Sequence, residues 1–269
     1  MPFVQLTPDL NLHYLDVNPD GTPALVLLHA LGASSASWEL QLPALVEAGL
    51  RVIAPDLRGF GQTKFTGREV TIARMAGDVD ALMKALGLEK AHVLGLSMGG
   101  TVALQFALDY PQRVDRLVLV NTFSRLRPAN PGEWAYFAAR FLVLHFLGLP
   151  QQGRLVARRV FPRPEQAVFR QELLREILQA DPRCYRAAVR SLARFNLDNR
   201  LGEIKRPVLV VTGEDDNTIS PHVQGRLAAA IPTARQVVIP NAGHAVIVDQ
   251  ASTFNRTLLE FLCPGLGVD

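Results

Sequence analysis

The sequence predicts an α/β fold: a mostly parallel central sheet with helices on both faces, interrupted once by an all-helical insertion. Three observations predict it. Short, near-continuous apolar runs recur along the chain, as strands covered on both faces require. Segments of helical period separate them, which is the alternation that builds parallel sheets through crossovers. That alternation stops between Asn121 and Lys205, where helical segments rich in Phe, Leu and Arg follow one another without a good strand pattern.

The elements follow in order. "LNLHYLDV" (10–17) reads as a strand, antiparallel and at the sheet's edge. "ALVLLHA" (24–30), "RVIAPD" (51–56), "AHVLGL" (91–96), "DRLVLVN" (115–121), "RPVLVVTG" (206–213) and "ARQVVIP" (234–240) read as the parallel strands. Ile72, Met75, Val79, Leu82, Met83 and Leu86 repeat at helical spacing, with Thr71 as N-cap and Gly87 just past the end. Phe254, Leu258 and Phe261 give the last helix an apolar face. In the interruption, Arg183, Arg186, Arg190 and Arg194 share one side of a helix and Tyr185, Val189 and Leu192 the other. The organisation expected is a core of 1–122 and 205–269, with 123–204 as a helical cap.

Composition narrows the function classes. With 269 residues and 48% hydrophobic content, the chain can bury a substantial core. No stretch is long and apolar enough to span a membrane, and "MPFVQLTPDL" lacks the pattern of a secretory signal, so a cytoplasmic location is expected. Cys184 and Cys263 stand far apart without the companions of a zinc site, and read as ordinary buried thiols. Residues 125–200 hold 14 Arg and no Lys against 6 Asp and Glu, a local charge of +8 that leaves −5 for the rest. No basic run is interleaved with stacking aromatics, so a nucleic-acid partner is not expected. The oligomeric state is open.

The chemistry gathers at "HVLGLSMGG" (92–100). Ser97 stands where a strand turns sharply into a helix, a place that calls for positive φ. Gly95 and Gly99 remove the side chains that would collide as strand and helix close on each other. This is the physical content of the G-x-S-x-G nucleophile elbow, which exposes the hydroxyl and leaves the Met98 N–H at a helix N-terminus facing developing negative charge. "HALGAS" (29–34) follows a strand and offers the Leu31 N–H as a second donor. "TGEDDNTISP" puts carboxylates at a strand's C-terminal end, and "PNAGHAVIVD" puts His244 in a loop after the last strand.

On these motifs, with "PDLRGFGQT" (55–63) and the closing "GHAVIVDQASTFNRTLLEFL", the chain resembles the α/β-hydrolase superfamily from about residue 3 onward. It looks like its serine carboxylesterases and is also similar to 3-oxoadipate enol-lactonases. The resemblance implies a Ser97, Asp216, His244 triad in that chain order, with Leu31 and Met98 as the oxyanion hole. Asp216 is selected because the acid in similar sequences lies three residues after the glycine ending the strand; Asp215 stays an alternative. The family's His-Gly is His29-Ala30 here, and Ala251 stands where Pro is frequent. Such a triad needs no cofactor and no metal.

The expected substrate is a small-molecule ester or lactone. Trp134, Phe137, Phe141, His145 and Phe146, with Tyr136 and Phe161, are candidates for an apolar acyl pocket under the cap, and Trp38 for burial beneath it. A Ser nucleophile separates the chain from the dehalogenase and epoxide-hydrolase branches, which attack with Asp. The Arg-rich insertion favours a competing reading, a lactonase or carbon–carbon bond hydrolase for a small carboxylated metabolite. An intact triad speaks against a ligand-binding receptor on the same fold.

Overall fold

The computed structural model describes residues 2–128 and 131–264, so the outermost ends of the predicted core and two residues of the predicted cap lie outside it. Among the described residues nine strands form one open sheet: β1 (Phe3–Thr7), β2 (Leu10–Val17), β3 (Ala24–Leu28), β4 (Arg51–Pro55), β5 (Lys64–Phe65), β6 (Ala91–Leu96), β7 (Val114–Val120), β8 (Val208–Gly213) and β9 (Ala234–Ile239). Their order is β1-β2-β4-β3-β6-β7-β8-β9, with β5 beside β2. From β4 to β9 every pairing is parallel; β2 runs antiparallel to β1, β4 and β5. The expected edge position of β2 is therefore corrected. The edge belongs to β1, whose short, exposed alternation carries little hydrophobic signal.

The helices are α1 (Leu42–Glu47), α2 (Ile72–Ala85), α3 (Met98–Asp109), α4 (Pro131–Leu142), α5 (Gly148–Val160), α6 (Ala167–Gln179), α7 (Pro182–Arg194), α8 (Pro221–Ala230), α9 (Val246–Asp249) and α10 (Ala251–Leu262). Strand residues alternate between two cores, as a period of two demands. Val26, Val93, Leu117, Leu119 and Val210 face α2, α3 and α8, whereas Leu25, Leu27, Leu94, Val118 and Val211 face α1 and α10. Thr71 caps α2 by accepting from the Arg74 N–H, and Gly87 follows at φ 68°.

Helices α4 to α7 all lie between β7 and β8 in the chain. The buried residues of this insertion, including Leu144, Phe161, Ile177 and Tyr185, join the first core. The two ends of this insertion are tied together: an isolated bridge pairs Arg125 with Asn196, and the Ser124 hydroxyl donates to Asp198 at 2.6 Å. Trp38 is fully buried, but in the second core, with Leu25, Leu45 and Val52 and no residue of the insertion. That corrects its expected place beneath the cap. Cys184 is buried and Cys263 half-buried, both free; burial pushes the Cys184 thiol up to about 11.

Candidate active site

Because β3, β6, β7, β8 and β9 are parallel, their C-terminal ends open onto one edge of the sheet, where α/β folds bind their ligands. Ser97 follows β6 at φ 54° and ψ −112°. Its N–H donates to the Val120 carbonyl at 2.9 Å, and its carbonyl accepts from the Thr122 hydroxyl at 2.7 Å. A Cβ on Gly95 would fall inside the Gly99 backbone, and one on Gly99 against the Leu28 and His29 carbonyls. No other residue type fits this crossing of strand and helix.

His244 follows β9, and its Nε2 lies 3.0 Å from Ser97 Oγ. Its Nδ1 lies 2.9 Å from Asp216 Oδ2. Asp216 is held in turn: Oδ1 accepts from the Thr218 and Ile219 N–H groups at 2.8 and 3.0 Å, and Oδ2 also accepts from Gln224 at 3.2 Å. Asp215 points elsewhere, half exposed and paired with Arg163 at 3.2 Å. Of the two adjacent carboxylates, the structure brings only Asp216 to the imidazole.

Asn121, just past β7 at φ 45°, joins three strand ends. Its Nδ2 donates to the Gly243 and His244 carbonyls at 3.0 and 2.8 Å, and its Oδ1 accepts from the Gly213 N–H at 2.8 Å. The sequence showed only that Asn121 is not a carboxylate; its role as a clasp rests on contacts more than ninety residues away. Asp249 holds the other side of the same loop, accepting from the Gly243 N–H at 2.8 Å and from Gln166 of the insertion at 2.7 Å.

Leu31 lines the cavity beside Ser97, and Met98 opens α3, whose first N–H groups have no partner within the helix. The loop carrying Leu31 is anchored below. His29 is fully buried, accepting at Nε2 from the Leu57 N–H (2.9 Å) and donating from Nδ1 to the Ala30 carbonyl (2.8 Å). Burial holds its pKa below the ordinary histidine value. Asp56 accepts from the Ser35 N–H (2.7 Å), the Gln62 N–H (2.8 Å) and His13 (2.8 Å). Burial pushes this carboxyl up, but the donors around it, the Gln62 and Ser35 N–H groups among them, outweigh burial and hold it below its ordinary value. Asp56 and His13 carried no sequence signal beyond the turn motif that contains Asp56.

Ser97 and His244 open into a cavity of about 600 Å³. Trp134, Phe137, Phe141 and Phe161 line it, together with Phe123, Leu126, Phe169 and Leu173. Tyr136, His145 and Phe146 do not, which corrects the expected pocket. After Leu142 the chain widens into a π turn, Val143–Leu147, which shifts the helical register. Leu144 turns inward, Phe146 is 79% exposed, and His145 stacks on Phe141 at the surface. The Arg residues of α7 are absent from the lining; Arg140 is there, beside Glu39, Glu172 and Glu176. Among the described residues, no group of three or more His, Cys, Asp or Glu side chains is disposed to hold a metal ion, and no helix is long and apolar enough to cross a membrane.

The family model for the alpha/beta hydrolase fold matches residues 23–251. The chain belongs to the α/β-hydrolase superfamily. As a hydrolase of this family it is 37% identical to “Putative carbamate hydrolase RutD” of Variovorax paradoxus, over 93% of this chain and 96% of that protein. Among solved structures, the enol-lactonase from Burkholderia xenovorans superposes with a TM-score of 0.87 at 28% identity, covering 97% of this chain and 99% of the other. A thermophilic esterase from Thermogutta terrifontis superposes at 0.80 with 29% identity, covering 94% and 93%. These α/β-hydrolases share the fold across nearly the whole chain while carrying three different activities in their names.

Proposed function

We propose that this α/β-hydrolase is a carboxylesterase-type serine hydrolase, acting on esters of short to medium, mostly apolar acyl chains. The carrying observation is the relay from Ser97 Oγ to His244 Nε2 (3.0 Å) and from His244 Nδ1 to Asp216 (2.9 Å), at the wall of an apolar cavity. Ser97 Oγ attacks the ester carbonyl while His244 Nε2 takes its proton, and Asp216 fixes the tautomer and stabilises the imidazolium. The Leu31 and Met98 N–H groups receive the tetrahedral oxyanion, each worth about 3 kcal/mol. His244 then returns the proton to the departing alkoxide, and afterwards activates the water that releases the acid. In this reading residues 123–204 act as the cap that roofs the cavity.

The aromatic and aliphatic lining of the cavity favours an apolar ester, while the name of the Variovorax relative makes a carbamate the competing substrate. A lactonase reading draws on the enol-lactonase neighbour and on Arg140 in the wall. Arg140 is already engaged, however. Gln152, oriented to satisfy both neighbours, accepts from Arg140 Nε at 3.0 Å and donates to its carbonyl at 3.1 Å.

Hydrolysis of p-nitrophenyl acyl esters and labelling by a fluorophosphonate test the proposal. Wild type is expected to acquire one phosphonyl adduct by intact mass, absent in Ser97→Ala, with hydrolysis falling by about 10⁴-fold or more in the variant. Equal rates in the two proteins would remove the reading.

A further inference from the structure

The cavity beside Ser97 is walled by aromatic and aliphatic side chains, yet Glu176 of α6 faces into it. Its setting is specific. The Ser34 hydroxyl donates to Glu176 Oε1 at 2.5 Å, across 142 residues of sequence. Ser34 stands three residues after Leu31, and the neighbour of Glu176, Ile177, is fully buried where a Cβ on Gly32 would meet it at 2.7 Å. Glu176 therefore reaches the cavity at its oxyanion-loop end rather than at its rim.

A carboxylate can accept about four hydrogen bonds, and the Ser34 and Ser37 hydroxyls beside Glu176 leave part of that capacity open to the cavity. An apolar wall penalises an ionised carboxylate that lacks a cation. The cation of the same wall, Arg140, sits with Gln152 and the Tyr136 ring, whereas the charges acting most on Glu176 are the carboxylates of Asp56 and Glu172. The further charged groups of the lining, Glu39 and Glu172, add negative charge, and Glu172 is itself paired with Arg175 at 3.1 Å. A substrate carboxylate would meet like charge at Glu176, whereas an ammonium or N–H donor would find an acceptor with capacity left beside two hydroxyls.

Resting on the esterase reading, we infer that Glu176 is a specificity-determining residue, selecting esters whose chain carries an amino group over esters that carry a carboxylate. Burial raises the pKa of the Glu176 carboxyl, with Asp56 and Glu172 adding to the rise against the Ser34 and Ser37 bonds. Selection for the amino substrate thus strengthens as pH rises and the carboxyl ionises.

Three p-nitrophenyl esters of matched length test this: ω-aminohexanoyl, heptanoyl and ω-carboxyhexanoyl, with the heptanoyl ester as the reference within each protein. Wild type is expected to favour the amino over the carboxy ester by about tenfold or more in kcat/KM, a factor that corresponds to about 1.4 kcal/mol. In Glu176→Gln, which keeps an acceptor for Ser34, the ratio should fall to about threefold or less and lose its pH dependence. Charge reversal in Glu176→Lys should invert it. An unchanged ratio in both variants, with the heptanoyl ester still turned over in a Ser97-dependent way, overturns the inference and leaves the esterase reading standing. Failure of all three esters to exceed the Ser97→Ala background overturns both.

Discussion

A side chain other than glycine held at positive φ stores about 1–3 kcal/mol, and persists where its surroundings over-determine it. Ser97 at φ 54° is so determined. Val120 takes its N–H, Thr122 donates to its carbonyl, and Gly95 and Gly99 let strand and helix meet without side chains between them. The strain aims the hydroxyl at His244. The same scale separates two adjacent acids by their partners. Asp216 is buried with four donors, while Asp215 holds one exposed arginine. In Asp216→Asn an amide N–H would face His244 and favour the wrong tautomer, so kcat on a p-nitrophenyl ester should drop by about 10³–10⁴-fold. Asp215→Asn breaks only a surface pair and should stay within about threefold of wild type. A comparable loss in both variants would mean that the loop, rather than the one carboxylate, sustains the rate.

Between elements, the decisive contacts run from loop to loop, and they divide what the sequence makes legible from what it hides. Strands β3, β4, β6, β7 and β8 were readable because burial on both faces writes itself as a near-continuous apolar run, whereas β9, half-buried at the far edge, showed itself by its Val-Val-Ile end. Strand β1 was not, since its residues are half-buried at most and its signal is pairing, not hydrophobicity. The elbow was legible because steric exclusion leaves glycine as the sole choice beside Ser97. The inward face of the insertion was half legible: Trp134, Phe137 and Phe141 follow α4 into the cavity, but a π turn shifts the register before His145 and Phe146. Asn121 was invisible because nothing local distinguishes an asparagine that clasps two distant loops. Removing that clasp in Asn121→Ala leaves the buried Gly213 N–H unpaired, and should cost about 1–3 kcal/mol of stability. The freed Gly243–His244 backbone should also lower kcat more than it changes KM. A urea midpoint and steady-state kinetics on one preparation read both, and an unaltered midpoint would refute the clasp.

At the scale of the whole molecule, several arginines of the insertion find partners within the chain. Arg170 donates to the Phe161 carbonyl at 2.9 Å, Arg159 to the Asn217 carbonyl, and Arg163 pairs with Asp215, so that arginines stitch the insertion to itself and to the loop bearing Asp216. The basic segment thus serves the fold more than the cavity, which weakens the argument that linked its arginines to an anionic substrate. Burial of ionisable groups leaves a second global signature, in the response to pH. Burial lowers the pKa of His92, with Arg116 adding to it and Asp115, 3.9 Å from the ring, opposing it. As pH falls through the ordinary histidine value, the unfolded chain takes up a proton that the folded chain refuses, so this group withdraws stability on acidification. The buried carboxyls of Asp78, Glu176 and Asp249 are shifted up and act in the opposite sense, because the folded chain keeps protons that the unfolded chain has released. The wild-type curve is therefore a sum of opposed slopes, and a variant is needed to isolate one. In His92→Leu the histidine slope is gone, so the stability of wild type should decline relative to the variant between pH 7 and pH 5, by at most about 1.4 kcal/mol per pH unit. Urea unfolding at a series of pH values measures the difference. A gap that stays constant across that range would show that His92 takes up its proton as readily in the folded protein as in the unfolded chain.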